Sequence, residues 1–147
     1  MALIYTVEIT IDKPRSRVVE LFDNPDNLKH WMPGLVSFEP LSGKPGEVDS
    51  KARLTFMMNN RKLEMIETIT KRALPDEFNG TYEAKGVFNI VNNRFIDIDG
   101  KSTRYVSDQE FQMKGIMKLF AWIMPGVFKK QSMKYLTDFK AFVESQP

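Results

Sequence analysis

After residue 114 the chain stops alternating, and that change of texture constrains its fold more than any other feature. Between residues 35 and 113 apolar and polar residues take turns in short runs, separated by turn-forming clusters. A period of two is the signature of strands with one face in water. Residues 51–58 put Ala52, Leu54, Phe56 and Met58 on one face, and residues 62–73 do the same with Leu63, Met65, Glu67 and Ile69. Phe78, Gly80, Tyr82 and Ala84 form a third set, and residues 101–113 align Tyr105, Ser107, Gln109, Phe111 and Met113. Asn59-Asn60, Leu74-Pro75-Asp76 and Asp99-Gly100 lie between these runs and read as turns. Residues 115–144 instead repeat Phe128, Tyr135, Leu136, Phe139, Phe142 and Val143 at spacings of three, four and seven. That is a helix, and Pro125-Gly126 predicts a kink or a break in it.

The N-terminal part completes the order. Residues 2–12 alternate, with Leu3, Tyr5, Val7, Ile9 and Ile11 on one side. Lys13-Pro14 then opens a short helix carrying Val18, Leu21 and Phe22, because proline at a helix start sacrifices no hydrogen bond. Asn24-Pro25 ends it, residues 26–31 allow a second helical turn, and Pro33-Gly34 stops that one. Residues 35–41 and 94–99 read as extended, whereas residues 86–93 are expected to be irregular and bulged. Consecutive hairpins make an antiparallel sheet with one buried face, and the final helix is the one large apolar element available to cover it. The expectation is an α+β fold: a curved antiparallel sheet of about seven strands wrapped around a long C-terminal helix, with two short helices after the first strand. It forms one domain over residues 1–147, an ordinary domain size.

Composition removes whole classes of chemistry. The absence of cysteine excludes disulfides, thiolate nucleophiles and thiolate-held metals. A single histidine, His30, excludes a His-pair metal site. No metal or other cofactor is expected. With 21 basic and 19 acidic residues the charge is close to balanced, which argues against a dedicated nucleic-acid binder. The N-terminus has no basic region followed by a long apolar one, so cytoplasmic residence is expected. The most apolar stretch, residues 115–128, contains Lys118 and falls short of the roughly 20 residues of a spanning helix. Stable membrane insertion is not expected, and the oligomeric state is left open.

The strand, proline and helix of residues 9–22, followed by Asp23-Asn24-Pro25-Asp26-Asn27-Leu28 and His30-Trp31-Met32-Pro33-Gly34, resemble the opening of many bacterial START-like proteins. This superfamily is also called SRPBCC or helix-grip. It includes START lipid-transfer domains, birch-pollen-allergen-like proteins and bacterial polyketide cyclases. Residues 115–142 resemble its gripping helix. The resemblance implies a cavity between the sheet and the C-terminal helix that binds or transports a small hydrophobic or amphipathic molecule. It brings no catalytic signature, so enzymatic activity is not the first expectation. The alternatives it leaves are a cyclase- or aromatase-like enzyme in which Glu67, Tyr82 or Tyr105 moves a proton, and an interaction module whose apolar helix meets a protein or a membrane.

Phe56, Glu67, Tyr82, Tyr105, Gln109, Phe111 and Phe120 are the candidate ligand contacts. Glu67 shares a strand face with apolar neighbours; it either meets the cavity, where desolvation favours its neutral form, or is carried into water by a bulge. Tyr82, Tyr105, Ser107 and Gln109 fall on inward faces, where polar groups need partners or a polar void. Asn89, Asn92, Asn93 and Arg94 read either as a polar gate or as loop geometry. His30 reads as a surface or structural residue and Trp31 as the anchor of the short helix. Residues 116–128 are apolar on nearly every side, so part of that surface must meet something other than the sheet.

Overall fold

Alternation becomes a seven-stranded antiparallel sheet in the order β1-β7-β6-β5-β4-β3-β2. The strands are β1 (Ala2–Ile11), β2 (Leu35–Ser42), β3 (Lys51–Met58), β4 (Arg61–Ala73), β5 (Glu77–Ala84), β6 (Val87–Asp97) and β7 (Thr103–Met113). The helices are α1 (Arg15–Phe22), α2 (Leu28–Trp31), α3 (Ile116–Ile123) and α4 (Gly126–Ser145). A single 3-10 turn, Pro25–Asn27, joins α1 to α2. This architecture comes from a computed structural model that describes residues 2–147.

Local chemistry sets the register. Asn59 and Asn60 have φ values of 51° and 64°, so both central residues of the β3–β4 turn are left-handed and the hairpin closes with Met58 opposite Arg61. Strands β2 to β7 then run as a meander, and β1 returns beside β7 with Leu3 opposite Phe111 and Ile11 opposite Thr103. Strand β4 shifts register between Ile69 and Lys71. Close by, a Cβ on Gly80 would lie 3.0 Å from the Thr68 carbonyl oxygen, so the two strands approach too tightly there for a side chain.

The core sits where the inner face meets α1, α2 and α4. Phe22 is its hub, with ring centroids at 4.9 Å from Phe95, 5.5 Å from Phe78, 5.7 Å from Trp31 and 5.7 Å from Phe139. Leu136, Phe139 and Val143 of α4 are buried against it. The Tyr5 hydroxyl ties β1 to the start of α4, donating to the Phe128 carbonyl at 2.9 Å and lying 2.6 Å from Ser132 Oγ. Burial pushes the Tyr5 phenol up to about 12, against the opposing hydrogen bond to Ser132.

Two sequence expectations need correction. Residues 86–93 are not irregular: β6 pairs without interruption with both β5 and β7. Asn89 and Asn93 pair with polar neighbours within the sheet, so a polar sequence there is compatible with a regular strand. The Asn89, Asn92, Asn93 and Arg94 cluster is also split by the pleat. Asn93 is buried, whereas Asn92 and Arg94 are exposed. The final helix is broken at Met124-Pro125, as the proline foretold, and its two parts differ sharply in burial.

Candidate functional site

The β4–β5 pairing puts Glu67 directly opposite Tyr82 on the inner face. The Tyr82 hydroxyl donates to Glu67 Oε2 at 2.8 Å. Glu67 is half-buried, and what surrounds it is apolar. A small void of about 50 Å³ adjoins the pair, walled by Phe22, Leu28, Trp31, Met32, Phe38, Ile69 and Phe78 with Asp23, Pro25 and Gly46 at its edge. At roughly 30 Å³ per water in the liquid, this is room for one or two small polar groups. The edge is braced by a bidentate ion pair in which Arg72 donates to both Asp23 oxygens at 2.8 and 2.6 Å and to the Gly46 carbonyl at 3.1 Å.

The electrostatics follow from this enclosure. Burial pushes the Glu67 carboxyl upward, partly offset by the hydrogen bond from Tyr82. Burial, and next the Glu67 charge, push the Tyr82 phenol well above its usual value. Tyr82 is therefore a fixed donor at neutral pH, and Glu67 is the member of the pair that can change its protonation. Oε1 of Glu67 receives no hydrogen bond among the described residues, so one carboxylate oxygen is available to another group. Trp31 lines the same void, and its buried Nε1–H has no partner.

Beyond Tyr82 the inner face changes character. Towards α1 and α2 it is densely packed, with Ile69, Phe95 and Tyr105 buried. Towards the β3–β4 and β5–β6 turns it is only half-covered: Met65, Ala84, Val87, Asn89 and Phe111 are half-buried, and Leu63 keeps 37% of its surface exposed. An apolar trough thus runs away from Glu67 and Tyr82 along the sheet. A wider depression of about 720 Å³ lies at this end of the sheet beside the β5–β6 turn, lined by Ala84, Val87 and Met113 of the inner face together with Ala2, Phe88, Gln112 and Lys114. It mixes inward- and outward-facing side chains and contains no buried polar pair comparable to Glu67 and Tyr82.

The structure brings together only part of the predicted set. Glu67 and Tyr82 meet, and the register drawn from the alternation places both correctly on the inner face. Tyr105 is buried and donates to Asn93 Oδ1 at 3.2 Å. Gln109 is buried too, its amide donating to Ser107 Oγ at 2.8 Å while its carbonyl accepts from Asn89 at 3.1 Å. The polar residues of β7 therefore satisfy one another in the sheet and do not line the void. Phe56 is buried against Ala52 and Leu54. Phe111 stacks on Tyr5 and reaches Phe128, and Phe120 packs on Phe128 from α3 while staying 38% exposed. The void itself lies between the sheet and the α1–α2 segment, not beneath α4 as the sequence suggested. His30 is exposed and stacks on Phe142 at 4.9 Å.

Two contributors escaped the sequence reading. Trp31 looked like a simple anchor, and it is one, but it also presents a void wall. Tyr135 belonged to the apolar stripe of the C-terminal helix. Its phenol nevertheless adds, as the smallest of several causes, to the upward push on Tyr82. A tyrosine on a helix stripe gives no sign in sequence that it will act on a strand residue of another element.

By sequence the chain matches no protein-family model and no curated protein. By structure it matches many solved proteins. The Zhui aromatase/cyclase from a Streptomyces species aligns with a TM-score of 0.82 at 14% identity, covering 98% of this chain and 94% of that one. Ara h 8.0201 aligns with a TM-score of 0.80 at 14% identity, covering 99% and 100%. Norcoclaurine synthase from Thalictrum flavum, solved with dopamine and hydroxybenzaldehyde, gives 0.73 at 15% identity, covering 100% and 90%. The chain shares the helix-grip fold of these proteins. At these identities the likeness establishes the fold and leaves the activity to the site.

Proposed function

We propose that the protein binds a small amphipathic molecule, with its polar group held by Glu67 and Tyr82 and its apolar body laid along the half-covered trough towards Met65 and Leu63. The observation that carries this reading is the Glu67–Tyr82 pair itself: a carboxylate with one oxygen unengaged, seated in an aromatic enclosure. Ligand sites are mostly apolar with a few convergent polar groups that orient the ligand, and this arrangement has that composition. The void is too small for a whole ligand. It seats a head group, while the trough supplies the apolar contact. With the one Tyr82 proton already given to Glu67, the free carboxylate oxygen and the phenol oxygen are both acceptors, which suits a head group that donates hydrogen bonds, such as a hydroxyl or an amine.

Native mass spectrometry of gently purified protein tests this, followed by titration with N-phenyl-1-naphthylamine as a neutral apolar probe. A retained organic mass that is lost or reduced in Glu67→Gln, with the fold intact, is the expected result. Protein that carries no organic mass and does not take up the probe would count decisively against a binding function.

A second reading rests on the same pair. A carboxyl raised by burial and hydrogen-bonded to a phenol at 2.8 Å is an acid–base couple of the kind that moves protons on a bound substrate. Tyr105 is not part of such a couple, because its hydroxyl is committed to Asn93. Glu67 is then the base and Tyr82 the group that orients it.

A further inference from the structure

Helix α3 is built inside out. Ile116 is 82% exposed, Trp122 72%, Ile123 62% and Leu119 54%, whereas Ala121 is buried and Met117 half-buried against the rest of the protein. At 3.6 residues per turn, these four exposed apolar side chains sweep about 120° of the helix circumference. A surface helix of a globular protein has the opposite arrangement, with its apolar stripe turned inward. Met117 rests beside Gly86, and Phe120 on the Phe128 ring at 5.9 Å. The helix therefore has a defined seat that presents its apolar side outward.

Charge identifies what covers this face. From residue 111 to residue 137 there are five lysines and no acidic residue, while the rest of the chain carries 16 basic and 19 acidic residues. The net positive charge of the protein is concentrated around α3. Among the described residues the lysine ion pairs belong to Lys62, Lys71, Lys134 and Lys140, so Lys114, Lys118, Lys129 and Lys130 are free. Lysine is depleted from protein–protein interfaces, and a second copy of this chain would bring the same lysines face to face. Outward tryptophan and aliphatic side chains ringed by free lysines suit the headgroup region of an anionic bilayer.

We propose that α3 docks the protein peripherally on anionic membranes, with Ile116, Leu119, Trp122 and Ile123 entering the boundary between headgroups and acyl chains and Lys118, Lys129 and Lys130 meeting the lipid phosphates. Among the described residues no helix is long and apolar enough to cross a membrane, so α3 lies in the interface plane. This inference rests on the surface of α3 and stands independently of the ligand reading.

The test uses the intact protein with unilamellar vesicles of phosphatidylcholine, with and without phosphatidylglycerol. Trp31 is 5% exposed and Trp122 72% exposed, so a change in tryptophan emission reports α3. The expected result is sedimentation with the phosphatidylglycerol vesicles, a blue shift of emission that disappears in Trp122→Phe, and weakening by salt. Lys118→Gln combined with Lys129→Gln should lower the partition constant about 30-fold, from ~1 kcal/mol per lysine, with an unchanged melting curve. Absence of binding to anionic vesicles at low salt overturns the proposal. So does equal binding to neutral and anionic vesicles, and so does a lipid-free dimer in which Trp122 is already shielded.

Discussion

Replacing Phe139 by alanine asks whether α4 closes the domain or merely lies on it. The ring is fully buried. It makes edge-on contacts with Trp31 at 5.0 Å, Tyr105 at 5.6 Å and Phe22 at 5.7 Å. Deleting a buried phenylalanine side chain costs about 3–5 kcal/mol, the spread reflecting how far the site can collapse. Here the walls come from α1, α2, β7 and α4 at once, so no single element can settle into the space without leaving its own contacts. Three aromatic pairs, each contributing ~0.5–1.5 kcal/mol beyond area alone, are lost together. The expected loss is therefore in the upper half of the range, about 4–5 kcal/mol, a large part of the roughly 5–15 kcal/mol that holds a domain. Urea unfolding followed by circular dichroism reads this as a fall in midpoint of about 2 M at an m-value near 2 kcal/mol/M. Lys134→Ala is the control. Its side chain is 56% exposed and pairs with Asp138 one turn away, so the change should stay under about 0.5 kcal/mol. A Phe139→Ala loss below about 2 kcal/mol with an unchanged m-value would refute the closing role of the helix.

Glu67 makes stability depend on pH. Because burial raises its pKa in the folded state, the folded protein holds this proton to higher pH than the unfolded chain does. Stability is therefore expected to fall as pH rises from the ordinary carboxylate range through the raised folded value. Thermal melts across that range should show a flatter profile for Glu67→Gln, which keeps an acceptor for Tyr82 but does not titrate; an equally steep fall would locate the dependence in another group. Ending the chain before Phe128 removes every α4 side chain of the core and uncovers β1, and the product should lose its cooperative melt.

Much of the fold was legible because binary patterning and turn chemistry agreed. Ala52, Leu54 and Phe56 alternate, Asn59-Asn60 accepts left-handed dihedrals, and each of these signals demands the same hairpin. Glu67 was legible for the same reason: a side chain flanked at i−2 and i+2 by Met65 and Ile69 shares their face unless a bulge intervenes. The bulge in β4 does occur, but between Ile69 and Lys71, one step past the point where it would have turned Glu67 outward. The regularity of β6 was not legible. Asn89 and Asn93 look like loop residues until their partners Gln109, Tyr105 and Asn79 are known, and those partners lie on other strands. The position of the void was hidden for a related reason. It depends on where Phe22 and Trp31 insert, which is a matter of tertiary docking and not of period.

The chemistry at residue 67 runs against the interest of the fold. Leu63, Met65 and Ile69 show what the inner face of β4 uses when packing alone decides. A carboxyl in the same row loses hydration, and removing a carboxylate from water is among the costliest changes a side chain can undergo. Compensation inside the domain is incomplete. Tyr82 supplies one hydrogen bond to Oε2, but a phenol carries no countercharge, and burial still pushes the Glu67 carboxyl upward. The nearest strong cation at the edge, Arg72, is already held by Asp23 through two hydrogen bonds. On the proposed reading, a group that raises the energy of the folded state and is left with a free acceptor oxygen beside an aromatic void is kept for contact with another molecule. Glu67 and Tyr82 are then where the selectivity of this protein is expected to reside.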